Sequence, residues 1–365
     1  MTRPRPRLIG LALVALCAVL LLVAARPARI EPVYRDTLYV FGTLVEIEIR
    51  GAPQEKAAAA AAQVGRLLQR LHTEWHAWRP GELTDLNAAI AAGQEMKVDD
   101  RLAGVLREGR LFACESGGMF DPAIGGLIGL WGFHADTPPE GAPPAPAKVA
   151  ALVAAHPRMT DLRFDGDLVG ATNPAVQLDL GGFAKGAALD LAAAELGALG
   201  IENAVLNAGG GVQVLGSHGD RPWRVAIRDP FVWGAVAAVS LRPGEVLHTS
   251  GNYERYFEHD GERFAHIIDP RTGYPVRQIV SVSVLDTNGA RADAAATALS
   301  VAGPADWPRV AAAMGVSKVL MITDAGALLA TPAMMERLEP AGDGYPDTVR
   351  IVPLPEDVSP PLCPN

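Results

Sequence analysis

The stretch at residues 176–186, VQLDLGGFAKG, constrains the fold most, because an apolar run leads directly into two glycines and a helical pattern. The apolar residues at 176–180 predict a buried strand, and a helix is expected from Ala184 onward. Such a junction exposes backbone amides and carbonyls beside the carboxylate of Asp179 and the ammonium of Lys185. On its own, the segment is more often an ordinary turn with a surface salt bridge than a ligand site.

Composition restricts the class of protein. The chain has 365 residues, 49% of them apolar, which is enough for one large domain or two ordinary ones with a buried core. The formal net charge is -9, so a footprint for a nucleic-acid backbone is not expected. Any anion that binds must therefore be held by local groups.

The amino terminus has the pattern of an export segment. Arg3, Arg5 and Arg7 precede an uncharged apolar run at residues 8–25. We predict that residues 1–29 are either a cleaved signal peptide or an uncleaved membrane anchor, since the length fits both. Arginines before the run and most of the chain after it predict that the folded part lies on the periplasmic side of the inner membrane.

Cysteine and histidine spacings exclude a zinc framework. Beyond the amino-terminal segment, only Cys114 and Cys363 could form a disulfide, and the sequence leaves their pairing open. His72 and His76 stand four residues apart in HTEWH but lack an obvious third ligand, so we interpret them as polar residues at a helix end. A bound metal should therefore be a hard ion with oxygen ligands.

The strand and helix patterns predict an α+β fold with mainly antiparallel sheets. Residues 37–50 alternate as one half-buried strand, in which Gly42 marks a bulge or a close approach of a ligand. Strands follow one another in runs and helices form separate blocks, which argues against a doubly wound fold. A hairpin is predicted at 162–172, and further strands are predicted at 223–228, 236–241, 253–269 with a turn at Asp260 and Gly261, 279–285 and 318–322. Helices are predicted at 54–75, 102–112, 184–196, 290 onward and 307–314.

Proline-rich segments mark the edges of the domain. Residues 135–146, ADTPPEGAPPAP, predict a surface insert, because apolar patterning resumes on both sides. We place the main domain at residues 30–340 and a peripheral proline-rich tail at 341–365.

One helical spacing suggests a metal site. Asp293 and Thr297 lie four residues apart in ARADAAATALS, so their oxygens share one helix face. With a glycine carbonyl they would form half of a Mg²⁺ shell, leaving the other positions to water and phosphate. The DxxxT pattern alone is common and is usually incidental.

Several longer motifs occur together in an informative order. They are FGT (41–43), WRPGELTDLN (78–87), GMFDPAIGGLIGLWGF (118–133), VQLDLGGFAKG (176–186), LNAGG, TSGNYERYF, HIIDPRTGYP and RADAAATAL. In order and spacing this set resembles the ApbE family, the FAD:protein FMN transferases. The resemblance covers roughly residues 37–331.

The resemblance implies a set of site residues. Asp179 and Lys185 would contact FAD, and the Gly182 carbonyl, Asp293 and Thr297 would bind Mg²⁺. Further FAD contacts would come from Phe41, Trp78, Met119, Phe120, Asp121 and Ile267. The chain departs from the family at three positions: many members have methionine at Phe41 and aspartate at Gly211, and some have histidine at Ala265.

The resemblance also implies a reaction. The hydroxyl of a threonine or serine on an exported acceptor, a flavoprotein domain of a membrane redox complex, would attack the FMN phosphorus of FAD and release AMP. Lys185 would stabilise the phosphate charge, and His266 is the expected proton acceptor. The alternatives are an FAD pyrophosphatase, with water as the nucleophile, and a silent membrane-anchored FAD-binding protein.

Overall fold

A nine-stranded sheet forms the centre of the protein in the computed structural model, which describes residues 31–135, 137, 139–341, 349–358, 361 and 363. Its strand order is β1-β2-β6-β7-β10-β13-β14-β15-β17, and all neighbours are antiparallel except β15 and β17. The strands are β1 (Val33–Val40), β2 (Thr43–Arg50), β3 (Met96–Lys97), β4 (Leu162–Asp165), β5 (Leu168–Ala171), β6 (Asn203–Ala208), β7 (Gly211–Leu215), β8 (Trp223–Arg228), β9 (Ala235–Leu241), β10 (Val246–Gly251), β11 (Tyr256–His259), β12 (Glu262–Ala265), β13 (Ile279–Asp286), β14 (Val319–Thr323), β15 (Leu328–Ala330), β16 (Leu338–Glu339) and β17 (Val349–Ile351). The α-helices are α1 (Gln54–Glu74), α2 (Glu82–Ala91), α3 (Asp100–Glu115), α4 (Gly125–Leu130), α5 (Pro146–Ala155), α6 (Ala184–Ala198), α7 (Gly289–Ala313) and α8 (Pro332–Met335). The predicted α+β fold with mainly antiparallel sheets is confirmed.

Different elements pack on the two faces of the large sheet. Helices α1, α6 and α7 pack on one face, where they share the main core with the apolar side of β2. The small sheet β16-β9-β8 covers part of the other face, where Trp223 and Ile227 share a core with Leu247 and Leu285. Because both sides are covered there, all eight residues of β13 are buried.

Residues 37–50 do not form the single strand that we predicted. The chain turns at Phe41 and Gly42, and β1 pairs with β2 as a hairpin in which Val40 lies opposite Thr43. Phe41 has a φ of 54° and Gly42 a φ of 71°, so both turn residues have left-handed backbones. The alternation of β2 was predicted correctly, but the turn was read as a bulge.

The predicted strand at residues 176–180 is also wrong. Val176, Leu178 and Leu180 are buried as expected, yet the segment makes only one isolated bridge, between Gln177 and Ile124. Its other backbone groups bond to the 122–123 carbonyls and to the side chain of Asn87. The apolar run therefore predicted the burial of these side chains correctly, but it predicted a strand where the structure has none.

The predicted helix and hairpin positions agree with the structure. Asp99 caps α3 by accepting the Arg101 N–H, and β4 and β5 form the hairpin predicted at 162–172. The predicted helices at 290 and 307 are the two parts of α7, which breaks at Gly303, where φ is 73° and Pro304 follows. The turn predicted at Asp260 and Gly261 within residues 253–269 is present, and it joins β11 and β12 in a hairpin that is shorter than the predicted region.

Parts of the proline-rich tail contact the domain. β17 extends the edge of the large sheet, and Cys363 forms a disulfide with Cys114 of α3. The predicted export segment at residues 1–29 lies outside the described residues, as do residues 342–348 and the extreme carboxyl terminus. No helix within the described ranges has the length and apolar character needed to cross a membrane.

Candidate active site

Asp179 fixes the corner between the apolar run and helix α6. One carboxylate oxygen, Oδ1, accepts the Gly181 N–H at 2.8 Å, and the other, Oδ2, accepts the Trp78 indole N–H at 2.8 Å. Lys185, in the first turn of α6, donates to the Gly181 carbonyl at 3.5 Å. The predicted FAD-binding residues Trp78, Asp179 and Lys185 are therefore brought together by direct contacts around one glycine turn.

Asn87 holds the same corner from the other side, a role that the sequence did not reveal. Its side-chain amide donates to the Leu178 carbonyl at 3.0 Å, and its side-chain oxygen accepts the Leu178 N–H at 2.7 Å. The amide thus replaces the neighbouring strand that the segment lacks. Asn87 ends the WRPGELTDLN motif, which was the available signal, but its partner lies 91 residues away.

The three predicted metal ligands meet where α6 and α7 cross. The Thr297 hydroxyl donates to the Gly182 carbonyl at 3.2 Å, and Asp293 Oδ2 accepts the Gly186 N–H at 3.0 Å. A carbonyl, a hydroxyl and a carboxylate are the oxygen donors that suit Mg²⁺. Within the described ranges, no group of three or more His, Cys, Asp and Glu side chains could hold a metal. These donor types would suit a Mg²⁺ ion if water or a ligand phosphate supplied the remaining positions.

His248 lies behind this half-shell. Its Nδ1 is 3.6 Å from Asp293 Oδ1, and its buried Nε2 has no hydrogen-bond partner among the described residues. Burial lowers the pKa of His248, while the Asp293 carboxylate opposes that shift. A Cβ at Gly211 would lie 2.3 Å from the His248 ring, so a side chain at position 211 would collide with this ring in its present place.

His266 presents a neutral imidazole to the site. Its Nδ1 lies 3.1 Å from the Arg255 carbonyl, so this nitrogen carries the proton and Nε2 is the acceptor. Part of the ring surface stays accessible. Removal of water by the surrounding protein lowers the pKa of His266 to about 4, and the positive charge of Arg255 acts in the same direction. Lys185 also lowers the pKa of both His266 and His248, which places the ammonium within electrostatic range of both rings. The adjacent Ile267 is buried.

The segment at residues 119–121 directs its side chains into the core. Phe120 packs edge-to-face on Phe183 at 5.4 Å and lies under Gly182, where an added Cβ would come within 3.2 Å of the ring. The Asp121 carboxylate accepts the Ala123 and Met159 N–H groups at 2.9 and 3.0 Å. Burial raises the pKa of Asp121 to about 7. The structure gives the Asp121 side chain the role of a buried backbone acceptor beneath the site.

Two aromatic side chains are predicted FAD contacts, and of these Trp78 bonds directly to Asp179. Trp78 is half-buried, and its ring packs so closely on α4 that a Cβ at Gly129 would lie 2.9 Å from it. The absence of a side chain at Gly129 lets the flat indole of Trp78 lie directly against the helix backbone. Phe41 is at the turn of the β1–β2 hairpin and packs against His72, with ring centroids 5.6 Å apart.

Comparisons with known proteins identify the family of this chain. A family model described as the ApbE family matches residues 41–321. A FAD:protein FMN transferase from Rhodobacter capsulatus is 62% identical over 92% of this chain and 64% of its own length. Another from Vibrio cholerae is 31% identical over 86% of this chain and 94% of its own length.

Solved structures agree with these relatives. The crystal structure of the ApbE protein from Thermotoga maritima superimposes with a TM-score of 0.77 at 29% identity, over 84% of this chain and 99% of that one. The apo form of the Pseudomonas stutzeri flavinyl transferase ApbE gives 0.74 at 27% identity, over 86% and 98%. The chain spans 64% of the length of the Rhodobacter relative and nearly all of the other proteins described here.

Proposed function

The chain belongs to the ApbE family, and on that basis we propose that it transfers FMN from FAD to a hydroxyl group of an acceptor protein. The hydroxyl oxygen of a threonine or serine forms a bond to the FMN phosphorus, and the bond from that phosphorus to the bridging oxygen of AMP breaks. AMP leaves, and FMN remains on the acceptor through a phosphoester. The observation that carries this proposal is the meeting of Gly182, Thr297 and Asp293 beside Lys185.

Lys185 and His266 are the proposed catalytic residues. The Lys185 ammonium offsets negative charge that develops on the phosphate during transfer. His266 holds its proton on Nδ1, toward the Arg255 carbonyl, and is neutral at pH 7 because its pKa is about 4. Its Nε2 is therefore ready to accept the proton that the attacking hydroxyl loses.

A bound Mg²⁺ would be held by the Gly182 carbonyl, the Thr297 hydroxyl and the Asp293 carboxylate, and it would neutralise charge on the FAD pyrophosphate. Asp293 supplies the only carboxylate among these three residues. The ion should therefore bind more tightly when FAD contributes phosphate oxygens. Trp78, Asp179 and the Phe41 turn are the proposed contacts of the FAD ring systems.

The proposed acceptors are exported flavin-binding domains of membrane redox complexes. This part of the proposal rests on the apolar, arginine-preceded segment before residue 30 and on the family membership. We propose that the folded part works on the periplasmic side of the inner membrane.

A transfer assay tests the function directly. The purified protein is incubated with FAD, Mg²⁺ and a candidate acceptor domain, and flavin fluorescence is sought on the acceptor band of a denaturing gel. We expect fluorescence that disappears with a chelator. A dark acceptor band with AMP and free FMN would show a pyrophosphatase instead, and intact FAD with every acceptor tried would favour a silent binder.

Paired variants at Thr297 test the metal half-shell. Thr297→Val removes the hydroxyl at nearly constant volume, whereas Thr297→Ser keeps it. We expect the Mg²⁺ concentration for half-maximal transfer to rise at least about tenfold in the valine variant only.

The Asp293→Ala variant should lose metal-dependent transfer and keep an unchanged circular dichroism spectrum. Full activity of either Thr297→Val or Asp293→Ala at low Mg²⁺ would contradict the assignment.

A further inference from the structure

Two histidines outside the proposed catalytic groups share an unusual arrangement. His72, in the last turn of α1, and His76, just after that helix, lie with ring centroids 5.5 Å apart. Each directs Nδ1 at a main-chain N–H group. His72 accepts from Phe41 at 3.2 Å, and His76 accepts from Trp78 at 3.0 Å.

The two residues that donate these bonds, Phe41 and Trp78, are the aromatic residues proposed above to contact the ring systems of FAD. Phe41 has a left-handed backbone, with a φ of 54°, which a residue other than glycine adopts only when its surroundings hold it there. The bond from its N–H to His72 and the packing of the two rings provide that restraint. Trp78 is restrained twice, through its main chain by His76 and through its indole by Asp179.

We propose that His72 and His76 are positioning residues, which hold Phe41 and Trp78 in place for the flavin or adenine rings of FAD. The inference rests on the proposed function, because it requires that FAD binds at this site. It assigns no proton transfer to either histidine. Both act through the aromatic residues, so their loss should weaken FAD binding and leave the chemical step largely unchanged.

The direction of the bonds supplies a matched pair of variants at each position. The side-chain oxygen of asparagine can take the place of Nδ1, whereas the end of glutamine lies where Nε2 was. An asparagine at position 76 can still accept the N–H two residues ahead, as in an Asx turn. We expect the asparagine variant at position 72 to function better than the glutamine variant, although glutamine is a better helix former than asparagine. Better function of the asparagine variant could therefore not come from the helix itself.

The experiment measures the FAD dissociation constant by flavin fluorescence and the kinetics of transfer to the acceptor. We expect H72Q and H76Q each to raise the dissociation constant and the KM for FAD about 3- to 10-fold, the effect of one lost hydrogen bond. At saturating FAD, kcat should stay within about twofold, and H72N and H76N should restore the binding. In a Phe41→Ala background, H72Q should have little further effect.

Three results would overturn the inference. They are unchanged FAD binding in both glutamine variants, equal losses in the asparagine and glutamine variants, and the same loss from H72Q with and without Phe41. A fall in kcat with unchanged KM would also refute a purely positioning role. Failure of the unmodified protein to bind FAD would refute the proposed function itself, and this inference with it.

Discussion

Replacing Gly186 with alanine tests how far the site depends on close contact between two helices. Gly186 is in the first turn of α6, and an added Cβ would lie 2.1 Å from the Gly289 carbonyl oxygen and 2.9 Å from the Asp293 Cβ. The first distance is about 1.3 Å below the 3.4 Å at which ordinary van der Waals contact begins. The obstacle is backbone, so no change of rotamer can relieve it, and α6 and α7 must move apart.

Two opposing contributions determine the magnitude. Alanine in place of glycine stabilises a helix by about 1 kcal/mol, and overpacking a closely packed site costs about 1–3 kcal/mol. Since the clash is with main chain, we expect the upper end of that cost and a net destabilisation of about 2 kcal/mol. A displacement of this size also separates Lys185 from Asp293, so transfer should slow by about 100-fold.

Gly197→Ala in the same helix is the matched control. A Cβ at Gly197 meets no atom within 4 Å, so this variant should gain about 0.5–1 kcal/mol of stability and keep full activity. Urea unfolding and the gel assay for flavin transfer compare the two variants. If Gly186→Ala were as stable and as active as Gly197→Ala, the close crossing of α6 and α7 would be refuted.

Two further predictions follow from shifted pKa values. Burial raises the pKa of Asp121 to about 7, so between about pH 4 and pH 7 the folded state keeps a proton that the unfolded state has already released. The contribution of this group to the free energy of unfolding therefore falls as the pH rises through that range. Urea unfolding at pH 5 and pH 8 should show a steeper loss for the wild type than for Asp121→Asn, by about 2–3 kcal/mol, because about two pH units separate pH 5 from the folded pKa, and parallel losses would contradict the buried carboxyl. Because the pKa of His266 is lowered to about 4, the contribution of this group to kcat/KM should stay constant from pH 8 to pH 5 and fall only as the ring gains a proton near pH 4. A fall centred near pH 6.5 that is absent from His266→Gln would refute this.

Features set by local periodicity were predictable from the sequence. The alternation of β2, the length of α1, the break in α7 and the shared face of Asp293 and Thr297 all depend on spacings within one element. The turn at Phe41 was missed because its first left-handed residue is a phenylalanine, which carries no turn signal. The error at 176–180 has a similar cause, since an apolar run indicates burial but does not identify the hydrogen-bond partners.

Long-range contacts explain what the sequence left out of the site. The motifs identified Asp179, Lys185 and Thr297, but no spacing could show that Asn87 bonds to a segment 91 residues away. His72 is a similar case, because its partner, Phe41, lies 31 residues earlier on another element. The spacing of the two histidines could not indicate an acceptor role. Such roles depend on the tertiary contact alone.

Gly211 leaves room for the His248 ring. The family resemblance implies aspartate at position 211 in many members, but a side chain there would collide with the His248 ring, which lies 3.6 Å from Asp293. Burial lowers the pKa of His248, so the imidazole beside Asp293 is neutral. This ring fills the space that a carboxylate at position 211 would need. The proposed half-shell therefore has Asp293 as its one carboxylate ligand. If Mg²⁺ binds there as we propose, its affinity should depend strongly on the FAD phosphates, which would couple metal binding to the presence of the substrate.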